Sequence, residues 1–309
     1  WNGAQSNSGV GALARNVGEV IGVFGEVDTT ATRWLGFYDA GYPSSIATDN
    51  LRAIEKHVSK LHSPLWPDFF PAIDRKQVAQ GRDLFRQHCS NCHLDIDRTD
   101  PERLVKVRMS TLKHIQTDPL MAENTLNHRG KSGILQGKLR YYFAGPVIGE
   151  EEPSILMLNN LMVGVLKNNP LQAFLAKRDA RALGHPEQVY PPKYVDGAII
   201  ESGQEVSDRA LLAYKARPLN GVWSSAPYLH NGSVPNLYEL LLPVARRSQQ
   251  FYIGSWDYDP VKVGYLQQAQ PGAFLFDTGV PGNSNSGHEY GTALSEDQIW
   301  ALVEYLKTL

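Results

Sequence analysis

Cys89, Cys92 and His93, in the stretch "FRQHCSNCHLDID", are the residues whose types and spacing promise chemistry, and they include both cysteines of the 309-residue chain. With a structural disulfide set aside, three chemistries compete for a Cys-x-x-Cys pair. A disulfide between them would close a ring too small to constrain the chain, so a structural staple is a poor reading. Zinc in its usual structural form wants four ligands, commonly two such pairs, and no second Cys pair exists to complete the tetrahedron. A thioredoxin-like dithiol would open a helix after a strand, whereas the residues before Cys89 read as a helix. The third reading takes in His93: two sulfurs span one porphyrin edge as thioethers while the next imidazole turns under the iron. The motif therefore predicts one covalently bound haem c, with His93 as an iron ligand.

The sixth position at such an iron decides between electron conduction and binding of oxygen or peroxide. Candidates are Met109, Met121, Met157 and Met162 and the remaining histidines. His57 falls on a helical pattern beside Leu51, Ile54, Val58 and Leu61 and reads as a surface residue. His62, His88, His114, His128 and His185 lack any motif context. His230, in "GVWSSAPYLHNGSVPNLYELL", and His288, in "GNSNSGHEYGT", are better placed.

The elements that must position these groups are two amphipathic helices. "DRKQVAQGRDLFRQH" opens at Asp74 as N-cap and stacks Val78, Gly81, Leu84, Phe85 and His88 at helical spacing. Gly81 on that stripe predicts close approach of another helix. "SEDQIWALVEYLKTL" begins with a capping box, Ser295 and Gln298, and lines Ile299, Leu302, Val303 and Leu306 on one face, with Tyr305 set to meet Gly81.

These elements resemble the class I cytochrome c fold. The phrase "KARPLNGVWSSAPYLHNGSVPNLYELL" is similar to a segment of the bacterial di-haem cytochrome c peroxidases, and "SPLWPDFFPAID" fits the same superfamily. The resemblance is closer to the bacterial rubber oxygenases, a di-haem branch, through "WNGAQSNSGVGALARNVGEVIGVFGEV", "APYLHNGSVPNLYELLLP", "YDPVKVGY" and "GNSNSGHEYGT". It implies that His288, just before the last helix, is the second axial ligand. It also implies cofactor-binding positions for His230, Tyr228, Arg217 and Trp223. Those families carry two attachment motifs and this chain has one; its motifs match the C-terminal, low-spin haem. The resemblance thus implies electron transfer, with a redox partner protein or a second haem domain as partner. The alternative is a piece of a di-haem dioxygenase or peroxidase, or an enzyme using this haem with an open sixth site. Localisation is expected to be periplasmic or secreted, in a bacterium.

The expected fold is mainly α: a class I cytochrome c-like core over 74–309, a large insertion at about 101–213, and an N-terminal helical extension and connector over 1–73. Within the insertion, "PERLVKVRMSTLKHI" and "EEPSILMLNNLMVGVLKNNPLQAFLAK" read as helices, and Arg129, Lys131, Lys138 and Arg140 could neutralise haem propionates or lie on a solvated face. "PNLYELLLPVARR" reads as a further helix and 248–293 as irregular. A net charge of −2, from 30 basic and 32 acidic side chains, gives no field favouring nucleic acid. The most apolar run, "ILMLNNLMVGVL", is interrupted by Asn159 and Asn160, so no membrane span is expected.

Overall fold

A computed structural model of the chain describes residues 10, 12–30, 33–34, 38–39, 41–100, 103, 106–142, 144–182, 188–190 and 212–309. Among them, helices α1 (Ala12–Val23), α2 (Thr48–Val58), α3 (Arg75–His88), α4 (Leu112–Ile115), α5 (Leu120–Asn127), α6 (Ser154–Asn168), α7 (Pro170–Ala182), α8 (Leu237–Leu240) and α9 (Glu296–Leu306) are joined by short strands.

Helices α3 and α9 form the centre of one core. Asp74 caps α3 by accepting from the Lys76 and Gln77 amides, and Ser295 with Gln298 makes the full capping box of α9. Leu84 and Phe85 face Ile299, Leu302, Val303, Tyr305 and Leu306, with Leu237, Leu241, Leu242, Val234 and Val263 closing the cluster. Each such aliphatic side chain contributes about 1.5–3 kcal/mol on burial. Gly81 lies where predicted: a Cβ there would stand 2.8 Å from the Tyr305 Cβ and closer still to the Ala301 carbonyl. His88 departs from the expected stripe and is exposed.

A second core packs α1 against α6, with Leu13, Val17, Tyr42, Ile46 and Val165 buried. Helix α2 docks through polar contacts: Arg52 donates to Gln172 and Asp179 of α7, and Asn16 to Glu55. His57 is exposed, as expected, and so are Ile54, Val58 and Leu61 of the apolar pattern beside it.

The expectation of a mainly α, class I cytochrome c-like fold is not met. Among the described residues helix accounts for 39% and strand for 14%, with small sheets set among the helices. The clearest error lies within "PERLVKVRMSTLKHI", where β3 (Lys106–Thr111) replaces the expected helix. Val107 and Met109 are buried while Arg108 between them is exposed, a period of two that suits a strand. β3 pairs parallel with β6 (Gln188–Tyr190) and antiparallel with β7 (Ala213–Ala216), placing Arg108 opposite Ala216. β1 (Arg33–Trp34) pairs with β2 (Tyr38–Asp39), and β4 (Arg129–Lys131) with β5 (Glu151–Pro153). The stretch 248–293 is also more regular than expected: β8 (Gln250–Ile253) pairs with β11 (Phe274–Asp277), and β9 (Tyr258–Asp259) with β10 (Gly264–Tyr265). "PNLYELLLPVARR" contains only the one-turn α8 and a 3₁₀ turn at Val244–Arg246, because Pro243 interrupts it. No helix among the described residues is long and apolar enough to cross a membrane.

Candidate haem site

Helix α3 ends by delivering the motif. Cys89 is its C-cap, and the chain then turns so that the His93 amide donates to the Cys89 carbonyl at 2.9 Å. The β3–β7 sheet supports this turn from beneath. Arg108 donates to the Asn91 carbonyl, and the Ser110 hydroxyl points at the Cys92 Sγ, 3.9 Å away. β7 runs on into Arg217, whose carbonyl meets His93 Nδ1 at 2.6 Å. With Nδ1 donating to that carbonyl, Nε2 is left with its lone pair for a metal.

His288 arrives from the loop before α9, and its ring centre lies 6.2 Å from that of His93, with the planes at 59°. Two imidazoles bound to one metal from opposite sides, at about 2.0–2.1 Å each, put their ring centres about 6 Å apart. Burial, then the neighbouring His93 and Arg247, pushes the His288 pKa down to about 3, so the ring is neutral. Burial lowers His93 as well. His288 Nδ1 is buried and meets no hydrogen-bond partner among the described residues.

The loop holding His288 is clamped on two sides. The His288 amide donates to the Ile115 carbonyl at 2.9 Å, and Ser286 Oγ to the Gln116 carbonyl. Gly287 has φ +69°, and a Cβ there would collide with the backbone of Ile115, Gln116 and Thr117. His288 itself takes φ 52°, a conformation unusual for a non-glycine residue and of the kind that surrounding contacts must enforce. Opposite, the buried Arg247 guanidinium donates to the carbonyls of Asn285, Gly287, His288, Leu240 and Leu242. Tyr290 stands edge-on to the His288 ring, 5.3 Å between centres.

The fit to a haem c is good on the donor set. Burial, with Cys92 beside it, pushes the Cys89 thiol up to about 12. That environment disfavours the Cys89 thiolate that zinc would need and suits an uncharged thioether there. Among the described residues no group of three or more His, Cys, Asp or Glu side chains is arranged to hold a metal ion.

The other expected positions divide. Arg217 contributes its carbonyl to His93. His230 stacks on Tyr214 at 4.0 Å, and its Nε2 is buried without a partner among the described residues. Tyr214 in turn donates to the Asp118 carbonyl, and Asp118 accepts from the Ser284 amide, so His230 adjoins the wall that carries the His288 loop. Tyr228 is committed to the core, donating to the Val222 and Val263 carbonyls. Trp223 donates to the Pro64 carbonyl and packs edge-on against Trp66. Met109 is buried beside Val107 and Ala213. Sequence reasoning missed Arg247, Tyr290 and the 114–118 wall. Arg247 sits in a plain "ARRS" context with no motif, and only Tyr290, two residues after His288, had a positional signal.

Residues 213–252 match the family described as RoxA-like, cytochrome c-like. The match supports the superfamily link, and a cytochrome c-like domain implies haem c binding. Uncharacterized protein y4iJ of Sinorhizobium fredii is 31% identical over 332 residues, covering 96% of this chain and 50% of y4iJ. Uncharacterized protein y4iM of the same organism is 36% identical over 121 residues, covering 32% of this chain and 28% of y4iM. The chain spans about half the length of y4iJ and less of y4iM.

Proposed function

We propose that the chain is an electron-transfer cytochrome with one haem c attached through Cys89 and Cys92 and held at the iron by His93 and His288. Bound haem c supplies a one-electron ferrous–ferric couple. The protein's part is to keep both imidazoles neutral, oriented and dry. Arg217 fixes the tautomer of His93, and burial keeps the His288 lone pair free of a proton. The observation that carries this reading is the facing His93–His288 pair, 6.2 Å between ring centres. Two filled axial positions suit electron relay and favour a lower potential than His/Met ligation. The same reading puts the protein in the periplasm or outside the cell, as an oxidoreductase component whose partner is a redox protein or a second haem domain.

Absorption spectra of the haem-loaded protein test it. Low-spin spectra in both oxidation states, unchanged on adding carbon monoxide, are expected; a carbon monoxide adduct formed on mixing would overturn bis-histidine ligation.

A second reading, that this is the relay half of a di-haem oxygenase or peroxidase, is supported by the sequence resemblance and the RoxA-like match at 213–252. Intact mass and haem count of the parent polypeptide decide it, two haems supporting that reading and one excluding it.

A further inference from the structure

Arg98 lies just beyond the attachment motif, and both terminal nitrogens of its guanidinium are buried without a hydrogen-bond partner among the described residues. Loss of solvent lowers its pKa, with no acidic side chain among the described residues to counter it. Terminal guanidinium nitrogens that are buried and unpaired are unfavourable, and an anion would complete them.

Contacts between neighbouring segments bring Arg98 and Ser63 close to the attachment motif. The segment leaving His93 runs beside the one leaving Arg217: His93 Nδ1 meets the Arg217 carbonyl at 2.6 Å, and Asn220 donates to the Ile96 carbonyl at 2.9 Å. On the other flank, His62 Nδ1 meets the Arg98 carbonyl at 2.7 Å. The next residue, Ser63, carries a second orphan, a buried Oγ with no partner among the described residues. Ser63 is pressed against Gly221, where an added Cβ would stand 2.9 Å from the Ser63 Cβ. Three segments thus bring two orphaned donors to the neighbourhood of the motif. Two of the basic residues in the 129–140 segment are engaged elsewhere. Arg129 donates to the Glu151 carbonyl, and Lys138 donates to the Thr29 carbonyl and lies over the Tyr42 ring.

We infer that Arg98, with Ser63 beside it, is a carboxylate-binding site whose ligand is a propionate of the haem held by Cys89, Cys92 and His93. This rests on the haem reading above. A guanidinium fork matches a carboxylate in two parallel hydrogen bonds, and a serine hydroxyl can add a third. The fixed positive charge then offsets the propionate and raises the potential of the adjacent couple.

The test compares haem-loaded wild type with Arg98→Gln, Arg98→Lys and Ser63→Ala. Midpoint potential and the propionate bending band in resonance Raman spectra are the readouts, and intact mass reports haem attachment. In Arg98→Gln the potential falls and the band shifts, while Arg98→Lys holds the potential near wild type and still shifts the band. A merely structural arginine would alter stability and leave both readouts in place. If Arg98→Gln does not fold, the band in Arg98→Lys and Ser63→Ala carries the decision. Wild type without covalent haem would defeat the underlying reading. Haem-bearing wild type whose folded variants keep its potential and band would defeat this inference alone. Free acetate is the second probe: saturable shifts of the Arg98 side-chain NMR signals in haem-loaded protein would mean a soluble carboxylate is the ligand and overturn the propionate assignment.

Discussion

Arg247 donates to the carbonyl of His288 itself, Nη2 to O at 3.3 Å, while its Nη1 holds the Asn285 and Gly287 carbonyls at 2.6 and 2.9 Å. Five carbonyls converge on one buried cation, so its removal orphans groups that cost about 1–3 kcal/mol each when left buried and unpaired. Arg247→Met is therefore expected to destabilise the protein by about 3–5 kcal/mol, measured by urea unfolding. In whatever fraction folds and carries haem, His288 should lose its fixed position, and the ferrous protein should bind carbon monoxide. Arg247→Lys keeps the charge but not the fork and should fall between the two.

His288→Gly tests the ligand directly. The His288 φ of 52° favours glycine, so the backbone of the loop should survive the change. On the proposed reading, thioether attachment at Cys89 and Cys92 would not depend on this side chain. A protein with full haem attachment, a high-spin ferrous spectrum and rapid carbon monoxide binding is expected; a retained low-spin spectrum would mean that another residue holds the sixth position.

Legibility in the sequence followed the range of the interactions. Asp74, Ser295 and Gln298 act within one helical turn, and Gly81 and Tyr305 sit on regular stripes, so their roles could be read from spacing alone. The motif named its cofactor because three adjacent residue types meet one chemical demand. β3 was hidden because a six-residue strand beside a four-residue helix offers too short a window for periodicity to separate the two. Arg247 was illegible for a different reason: its partners are backbone carbonyls of residues 240–288, which have no sequence signature at all.

Gly81 offers a stability test away from the candidate haem site. The Ala301 carbonyl and the Tyr305 Cβ occupy the space of any side chain there, and both belong to a helix fixed by its own buried face. Overpacking of this kind costs about 1–3 kcal/mol. Gly81→Ala should lower the denaturation midpoint by that amount despite the better helix propensity of alanine. A variant as stable as wild type would show that α3 and α9 do not approach this closely.

The α2–α7 contact should respond to acid. Asp179 Oδ2 accepts from Arg52 at 2.7 Å and Lys56 at 2.9 Å. Burial alone would raise its carboxyl, but the hydrogen bonds and charges of Lys56 and Arg52 outweigh it and hold the pKa below the usual aspartate value. A depressed carboxylate stabilises the fold above its unfolded pKa, and that contribution is lost as pH falls through the folded value. Asp179→Asn should therefore melt below wild type at pH 6, with the gap narrowing under about pH 4. Because the pair lies near solvent, salt should shrink the gap at pH 6, and about 1 kcal/mol is its upper bound. Thermal melts at the two pH values and two salt concentrations give the answer, and an undiminished gap in acid would assign the effect to packing instead.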